Sequence, residues 1–468
     1  MSGPDFPSER LPSGLWGGRV ASGPHPVLDR LNRSLSFDHR LGPFEIRIDR
    51  AWVEELVRVE AIAPADGQRI LTGLDVVEAR LRDGDPAAEP DEDIHSLIER
   101  WLEEEVGPVA SQVRLGRSRN DVVATGGRMW AREAAAGIDG RLAALQEALL
   151  AIADRDGQLP FPLYSHMQPA QPSRAANWLL SHFWALDRDR GRIADAASRL
   201  NHMPLGAAAG AGTGIPVDRA RLADRLGFEL ACPNSLDAVS GRDWAAEILW
   251  TWAMTANDLS RLAEDLVYYS SAEFGLIRFA DAWTTGSSLM PQKRNPDGAE
   301  LARAAGGALL GLLTGLLATL KGLPSGYQKD LQEDKRALFE ACDRLADVTE
   351  VLTGTLASTR FDPDRAAAAI DASVLASDVA ERLASAGMPF RAAHHAVGRL
   401  VQRAEQLGVS LADLGTDEIG SIEPSLAPEW KTLFDRNSAL ERRAAAGGSS
   451  AAAVQAQIAA ARRRLAES

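Results

Sequence analysis

At 468 residues, with 45% hydrophobic and 25% charged residues, the chain has the composition of a globular protein rather than a disordered or fibrous one. Its length corresponds to roughly three domain-sized units of about 150 residues each. A net charge of −14, with no local run of Lys and Arg to offset it, excludes a nucleic-acid surface as the main feature. The two cysteines, Cys232 and Cys342, lie far apart and outside any CxxC pattern, which fits structural thiols in a reducing cytoplasm.

The first 19 residues, MSGPDFPSERLPSGLWGGR, contain no apolar h-region and do not read as a signal peptide. Residues 1–115 read as an extended arm followed by shorter helices, among them the acidic turn at 90–105. Alternating Val/Ile/Thr runs are few, so strands are not expected. Helical periodicity then takes over, and the spacing predicts long helices near 119–155, 172–202, 241–274, 298–322 and 332–359. A helix of about 30 residues is about 45 Å long. Several of these are apolar around most of their circumference, as at Trp244, Ile248, Leu249, Trp250, Trp252 and Met254. Such helices must be covered on all sides, which five rods in one chain cannot achieve, so an oligomer is expected.

Residues 304–320 carry no charge. A membrane span needs about 20 apolar residues, and Arg303 and Lys321 close this run, so it is expected to lie inside a large helical bundle. The break TRFDPDR at 359–365 opens a smaller helical unit. The fold expected is all-α: a central bundle domain of five long helices (116–362) flanked by two smaller helical domains, an N-terminal one (1–115) and a C-terminal one (363–468).

Four segments between the rods carry unusual residues. In LGRSRNDV (115–122), Arg117, Arg119 and Asn120 gather where helix N–H groups lack partners, which favours a carboxylate; an ordinary N-cap built on Asp121 is the alternative. In PLYSHMQPAQP (162–172), Ser165 and His166 occupy a proline-bounded loop, although seven other histidines are rivals. In TTGSSLMPQKRNPD (284–297), Gly286 provides mobility and Ser287 and Ser288 provide hydroxyls. Lys293 and Asn295 add a cation and an amide, and Pro291 and Pro296 keep the segment out of a helix. In LPSGYQKDLQEDK (323–335), Tyr327 precedes Gln332 and Lys335, which share a helix face three residues apart; a solvated helix cap is the alternative. The glycine run at 206–214 follows helical sequence rather than a strand and is no dinucleotide fingerprint. With no HExxH, EF-hand or Cys/His cluster, neither a metal nor another cofactor is expected.

Taken together, these segments resemble the fumarase/aspartase superfamily, whose signature loop is similar to GSSLMPQKRNP (286–296). The stretches LWGGR (15–19), NRSLSFD (32–38), DEDIH (91–95), GRSRND (116–121), NSLDAVSGRD (234–243) and YQKDLQEDK (327–335) resemble argininosuccinate lyases in particular. Adenylosuccinate lyases typically carry His where this chain has Gln292.

The resemblance implies β-elimination of argininosuccinate to arginine and fumarate in the cytoplasm, without a cofactor. It implies a homotetramer with each site built from three subunits. It makes Ser287 the base and His166 its partner at the leaving nitrogen. Ser34, Arg119, Asn120, Ser165, Tyr327, Gln332 and Lys335 fall at substrate-binding positions, and Lys293 and Asn295 at carboxylate contacts. Ser165 stands where the family usually has Thr, a mild departure, and two others bear on the amine half of the substrate: PLGAAAGAG (204–212) stands where the family has PLGSGALAG, and IDRAW (48–52) replaces a GS…AH pattern. They leave open another N-substituted aspartate as substrate, and a superfamily cycloisomerase or a non-catalytic crystallin-like protein stand further off.

Overall fold

Ala, Leu, Arg and Glu fill the long stretches between glycine and proline breaks, and these residues form helix at little cost. The computed structural model describes residues 24–467; the LWGGR segment at 15–19 and the rest of the first 23 residues lie outside them. The helices used below are α1 (Gly42–Arg58), α2 (Pro64–Asp83), α3 (Ile94–Val106), α4 (Arg119–Asp156), α5 (Ala175–Arg199), α6 (Asp243–Ser270), α7 (Asp297–Leu320), α8 (Glu333–Ser358), α9 (Ala376–Ser385) and α10 (Phe390–Leu407). The five long helices read from the sequence are thus α4 to α8, and the fold is all-α as expected. At 38 residues, α4 is about 57 Å long.

The chain divides into two compact units. One comprises residues up to Glu133, Ala197–Ala246 and Leu316–Phe339; the other comprises Ala134–Ala196, Glu247–Gly315 and residues from Glu340 onward. In the first, α1, α2 and α3 enclose Ile46, Trp52, Leu56, Ile70, Leu74, Leu97 and Trp101, all at most 1% exposed. Arg80 covers the Trp101 ring, its guanidinium carbon 4.1 Å from the centroid.

In the second unit the chain departs from the expectation of a helix beginning at 172. Strands β1 (Pro160–Ser165) and β2 (Gln168–Arg174) form an antiparallel hairpin, and α5 starts only at Ala175. In the sequence, Pro162, Pro169 and Pro172 read as the frame of a loop. In a two-stranded sheet each strand is an edge, and an edge tolerates residues that lack an N–H; Pro162 faces Pro172 across the ladder. Phe161 anchors the hairpin, with ring centroids 5.5 Å from Trp178, 5.2 Å from Tyr269 and 5.7 Å from Phe361. Near the C-terminus, Val379 of α9 and Val397 and Leu400 of α10 close a small core with Trp430.

One face of α7 is open in the single chain: Leu301 is 69%, Leu310 58% and Leu317 51% exposed. By length and composition it is the one helix among the described residues that could cross a membrane.

Candidate active site

In the first unit, the start of α4 is fixed by a reciprocal cap. The Ser118 N–H donates to Asp121 Oδ1 (3.0 Å), and the Asn120 N–H donates to Ser118 Oγ (3.3 Å), a capping box of the S-x-x-D kind. The cap reading of Asp121 is therefore right, and it places Arg119 and Asn120 on the first turn. Arg119 donates to Asp93 Oδ2 (2.9 Å) and to Ser96 Oγ (3.1 Å). Asp93 in turn caps α3 through the Ser96 N–H (2.8 Å). Burial alone would raise the Asp93 carboxyl, but His95, Arg119 and Ser96 hold it below the usual carboxylate range.

Arg117 corrects an expectation. It was grouped with Arg119 and Asn120 as an anion ligand, but its guanidinium is buried and lies 2.5 Å from Asp49 and 4.0 Å from Glu45. Glu45 also lies 3.0 Å from His95 Nδ1. Burial would lower the His95 pKa, yet Glu45 and Asp93 raise it above the ordinary imidazole value. Arg117 is thus a buried counter-ion, not a ligand facing a cleft.

Four more expected residues sit in the same polar network. Ser34 is buried and donates to Asp38 Oδ2 (2.5 Å), and Asp38 Oδ1 accepts the Ile94 N–H (3.1 Å). Burial raises the Asp38 carboxyl against the pull of Ser34, His95 and Lys335. Lys335 Nζ donates to Gln332 Oε1 (2.5 Å) and to Asp334 Oδ1 (3.1 Å), so Gln332 and Lys335 do share a face. Arg242 Nε donates to Asp334 Oδ2 (2.6 Å). Burial pushes the Tyr327 hydroxyl up to about 12, with Arg242, Asp334, Asp93 and Arg119 all within electrostatic reach. Ser34, Arg119, Tyr327, Gln332 and Lys335 are thereby gathered around one set of buried charges.

The supporting carboxylates escaped the sequence reading. Asp93 and Asp334 each lie inside a quoted motif, where an acid reads as solvated. Arg242 and Asp334 are 92 positions apart, and no local pattern announces such a pair.

In the second unit, Ser165 is the last residue of β1, paired with Gln168, and His166 and Met167 form the two-residue turn between the strands. Both turn residues have positive φ, 54° and 59°, the left-handed conformation that such hairpin turns require. Ser165 and His166 are exposed. The 284–297 segment is not wholly irregular: β3 (Thr285–Gly286) pairs with β4 (Arg294–Asn295), and residues 287–293 loop out between them. Thr285 hydrogen-bonds Asp297, and Arg294 pairs with Asp281. Within the loop, the N–H groups of Leu289 (3.3 Å) and Met290 (3.0 Å) donate to Ser287 Oγ. The Lys293 N–H donates to the Met290 carbonyl (3.0 Å). Lys293 is exposed and Asn295 half-buried. At the foot of the loop, the Trp283 ring lies against Gly354, where an added Cβ would stand 1.9 Å from the ring.

The departures noted in the sequence lie in packing. Ala207 is fully buried with Cys232, Ala238 and Val239. Ala208 takes a φ of 50°, and its N–H donates to Asp121 Oδ2 (2.8 Å). In the 48–52 segment, Ile48, Ala51 and Trp52 belong to the core of the first unit. The Trp52 indole donates to the Leu115 carbonyl (3.0 Å), and Asp49 neutralises Arg117.

The "Lyase" family model matches residues 18–311, and the "Argininosuccinate lyase C-terminal" model matches residues 373–441. An argininosuccinate lyase of Roseiflexus sp. (strain RS-1) is 48% identical over 450 residues, covering 96% of this chain and 99% of that one. One from Roseiflexus castenholzii is 48% identical over 92% of this chain and 95% of its own length. Among solved structures, a variant of EDDS lyase with bound fumarate superposes with a TM-score of 0.82 at 26% identity, covering 94% of this chain and 88% of that one. The chain belongs to the argininosuccinate lyase family, within the fumarase/aspartase superfamily.

Proposed function

We propose that this protein cleaves argininosuccinate to arginine and fumarate by β-elimination, with Ser287 as the base. The observation that carries the reading is the pair of loop N–H groups aimed at Ser287 Oγ. A serine hydroxyl is a poor base, and donors already directed at its oxygen favour the alkoxide. Proton removal beside a carboxylate builds an aci-carboxylate dianion, which also needs donors, and Lys293, Asn295 and the loop amides supply them. One such donor is worth about 3–4 kcal/mol of barrier. His166 serves the leaving nitrogen, a proton transfer worth roughly 10²–10⁴-fold. Ser34, Arg119, Asn120, Ser165, Tyr327, Gln332 and Lys335 bind substrate. Closure of the loop about Gly286 excludes water from the reacting atoms.

The amine half of the substrate is read as arginine, because Ala207 and the 48–52 segment point into the core rather than toward ligand. A different N-substituted aspartate is the second reading, favoured by the likeness to EDDS lyase. Steady-state assay of purified protein tests both: fumarate and arginine should form together from argininosuccinate. No turnover of argininosuccinate, with ready release of fumarate from another N-substituted aspartate, would reverse the choice. The reading also includes a soluble cytoplasmic homotetramer, in which the exposed leucines of α7 are covered by other copies and three subunits complete each site. Sedimentation of the purified chain tests that assembly.

A further inference from the structure

The start of α4 and the segment 204–215 are fastened to each other at two points. At the first, Asp121 Oδ2 accepts the N–H groups of both Gly206 (2.9 Å) and Ala208 (2.8 Å), while Oδ1 accepts that of Ser118 (3.0 Å). The carboxylate is fully buried, and every one of these bonds is to backbone. At the second, Gly116 packs so closely that a Cβ there would stand 2.6 Å from Ile215 Cγ1 and 2.7 Å from Thr213 Oγ1. Between the two points lies the residue that resists the arrangement. Ala208 has a φ of 50°, in a region that costs an L-residue about 1–2 kcal/mol, and its N–H ends on the Asp121 oxygen.

We propose that Asp121 is a positioning residue for substrate binding, clamping the left-handed Ala208 turn against the helix start so that Arg119 and Asn120 are presented in one fixed geometry. This rests on the reading of Arg119 and Asn120 as substrate ligands given above. The capping box alone would need only the Ser118 bond. The other oxygen, shared by Gly206 and Ala208, reaches a segment 85 residues away and has no part in capping. Without the carboxylate, alanine at 208 has every reason to leave the left-handed region, and the turn relaxes away from the helix start. With glycine at 208 the same turn carries no such penalty and should stay in place unclamped.

The test is a two-step cycle in the full-length protein. Asp121→Asn keeps one acceptor oxygen but sets an NH₂ against N–H donors. It should raise the KM for argininosuccinate about tenfold, the loss expected for one misplaced polar contact, with kcat changed by less than about threefold. Adding Ala208→Gly to that variant should recover most of the lost KM. Hydrogen exchange read by mass spectrometry should follow the same order: faster over 204–214 in the single variant, slower again in the double. An unchanged KM in Asp121→Asn, or a double variant no better than the single, overturns the clamp. If wild-type protein does not turn over argininosuccinate, the substrate reading falls. The exchange pattern then decides the clamp alone, and unaltered exchange over 204–214 in the Asp121→Asn variant refutes it.

Discussion

The backbone N–H of Met290 donates to the side-chain oxygen of Ser287 at 3.0 Å, a bond made within the seven-residue loop 287–293. If Ser287 is the base, Ser287→Ala should lower kcat by several orders of magnitude while helical content and substrate affinity stay near wild type. Residual activity above about a tenth would mean a barrier change under about 1.4 kcal/mol, too small for loss of a base. Circular dichroism and single-turnover kinetics separate the two outcomes.

The foot of that loop rests on a residue with no side chain. Because a Cβ at position 354 would stand 1.9 Å from the Trp283 ring, Gly354→Ala must displace the indole and with it the segment leading to Thr285. Overpacking of this kind costs about 1–3 kcal/mol of stability. The expected result is a lowered Tm together with at least a tenfold fall in kcat. Trp283→Leu in the same background should restore part of the stability. A Gly354→Ala protein with wild-type kcat would show that the loop does not depend on its foot.

A buried acid on α5 predicts a pH effect of known sign. Asp189 is fully buried; Oδ1 meets Arg192 at 2.6 Å, and Oδ2 has no hydrogen-bond partner among the described residues. Burial, aided by Asp258, pushes its carboxyl from 3.8 up to about 7. The folded state therefore holds this proton more tightly than the unfolded state. The stability it contributes is complete below about pH 4 and is lost as pH rises through about 7. Asp189→Asn has no such proton to lose, so the difference in Tm between variant and wild type should move in the variant's favour from pH 4 to pH 7 and then level off. A difference that stays flat across that range would refute the assignment.

Assembly makes a prediction of its own. If three copies complete each site, chains carrying His166→Asn and chains carrying Ser287→Ala are each inactive alone. Unfolded and refolded together, they should regain part of the wild-type activity, since some sites then carry neither change. Well-formed mixed tetramers with no activity would mean that each site lies within one chain.

The long helices were legible from residues 119 to 359 because apolar periodicity sustained over more than twenty residues admits few other structures. The hairpin at 160–174 was not, because its prolines signal a break and only the pairing partner reveals an edge strand. The network around Tyr327 was half legible. Gln332 and Lys335, three apart in the sequence, could be paired by counting, although Gln332 ends the turn just before α8, whereas Arg242 and Asp334 meet only after the fold forms. Arg117 and Arg119 look equivalent in the sequence. They diverge because a buried carboxylate, Asp49, takes one and the cap of α3 takes the other.

His166 and Met167 both hold positive φ in a two-residue turn, where Asn-Gly is the low-energy choice. Any scheme that improves this protein by heat selection alone will meet that turn early. Each replacement by glycine or asparagine there releases about 1–2 kcal/mol, and one of the two removes the imidazole. If His166 serves the leaving nitrogen, screens for tolerance and screens for turnover should enrich opposite residues at position 166, and a library sorted on survival would fill with well-folded, silent protein.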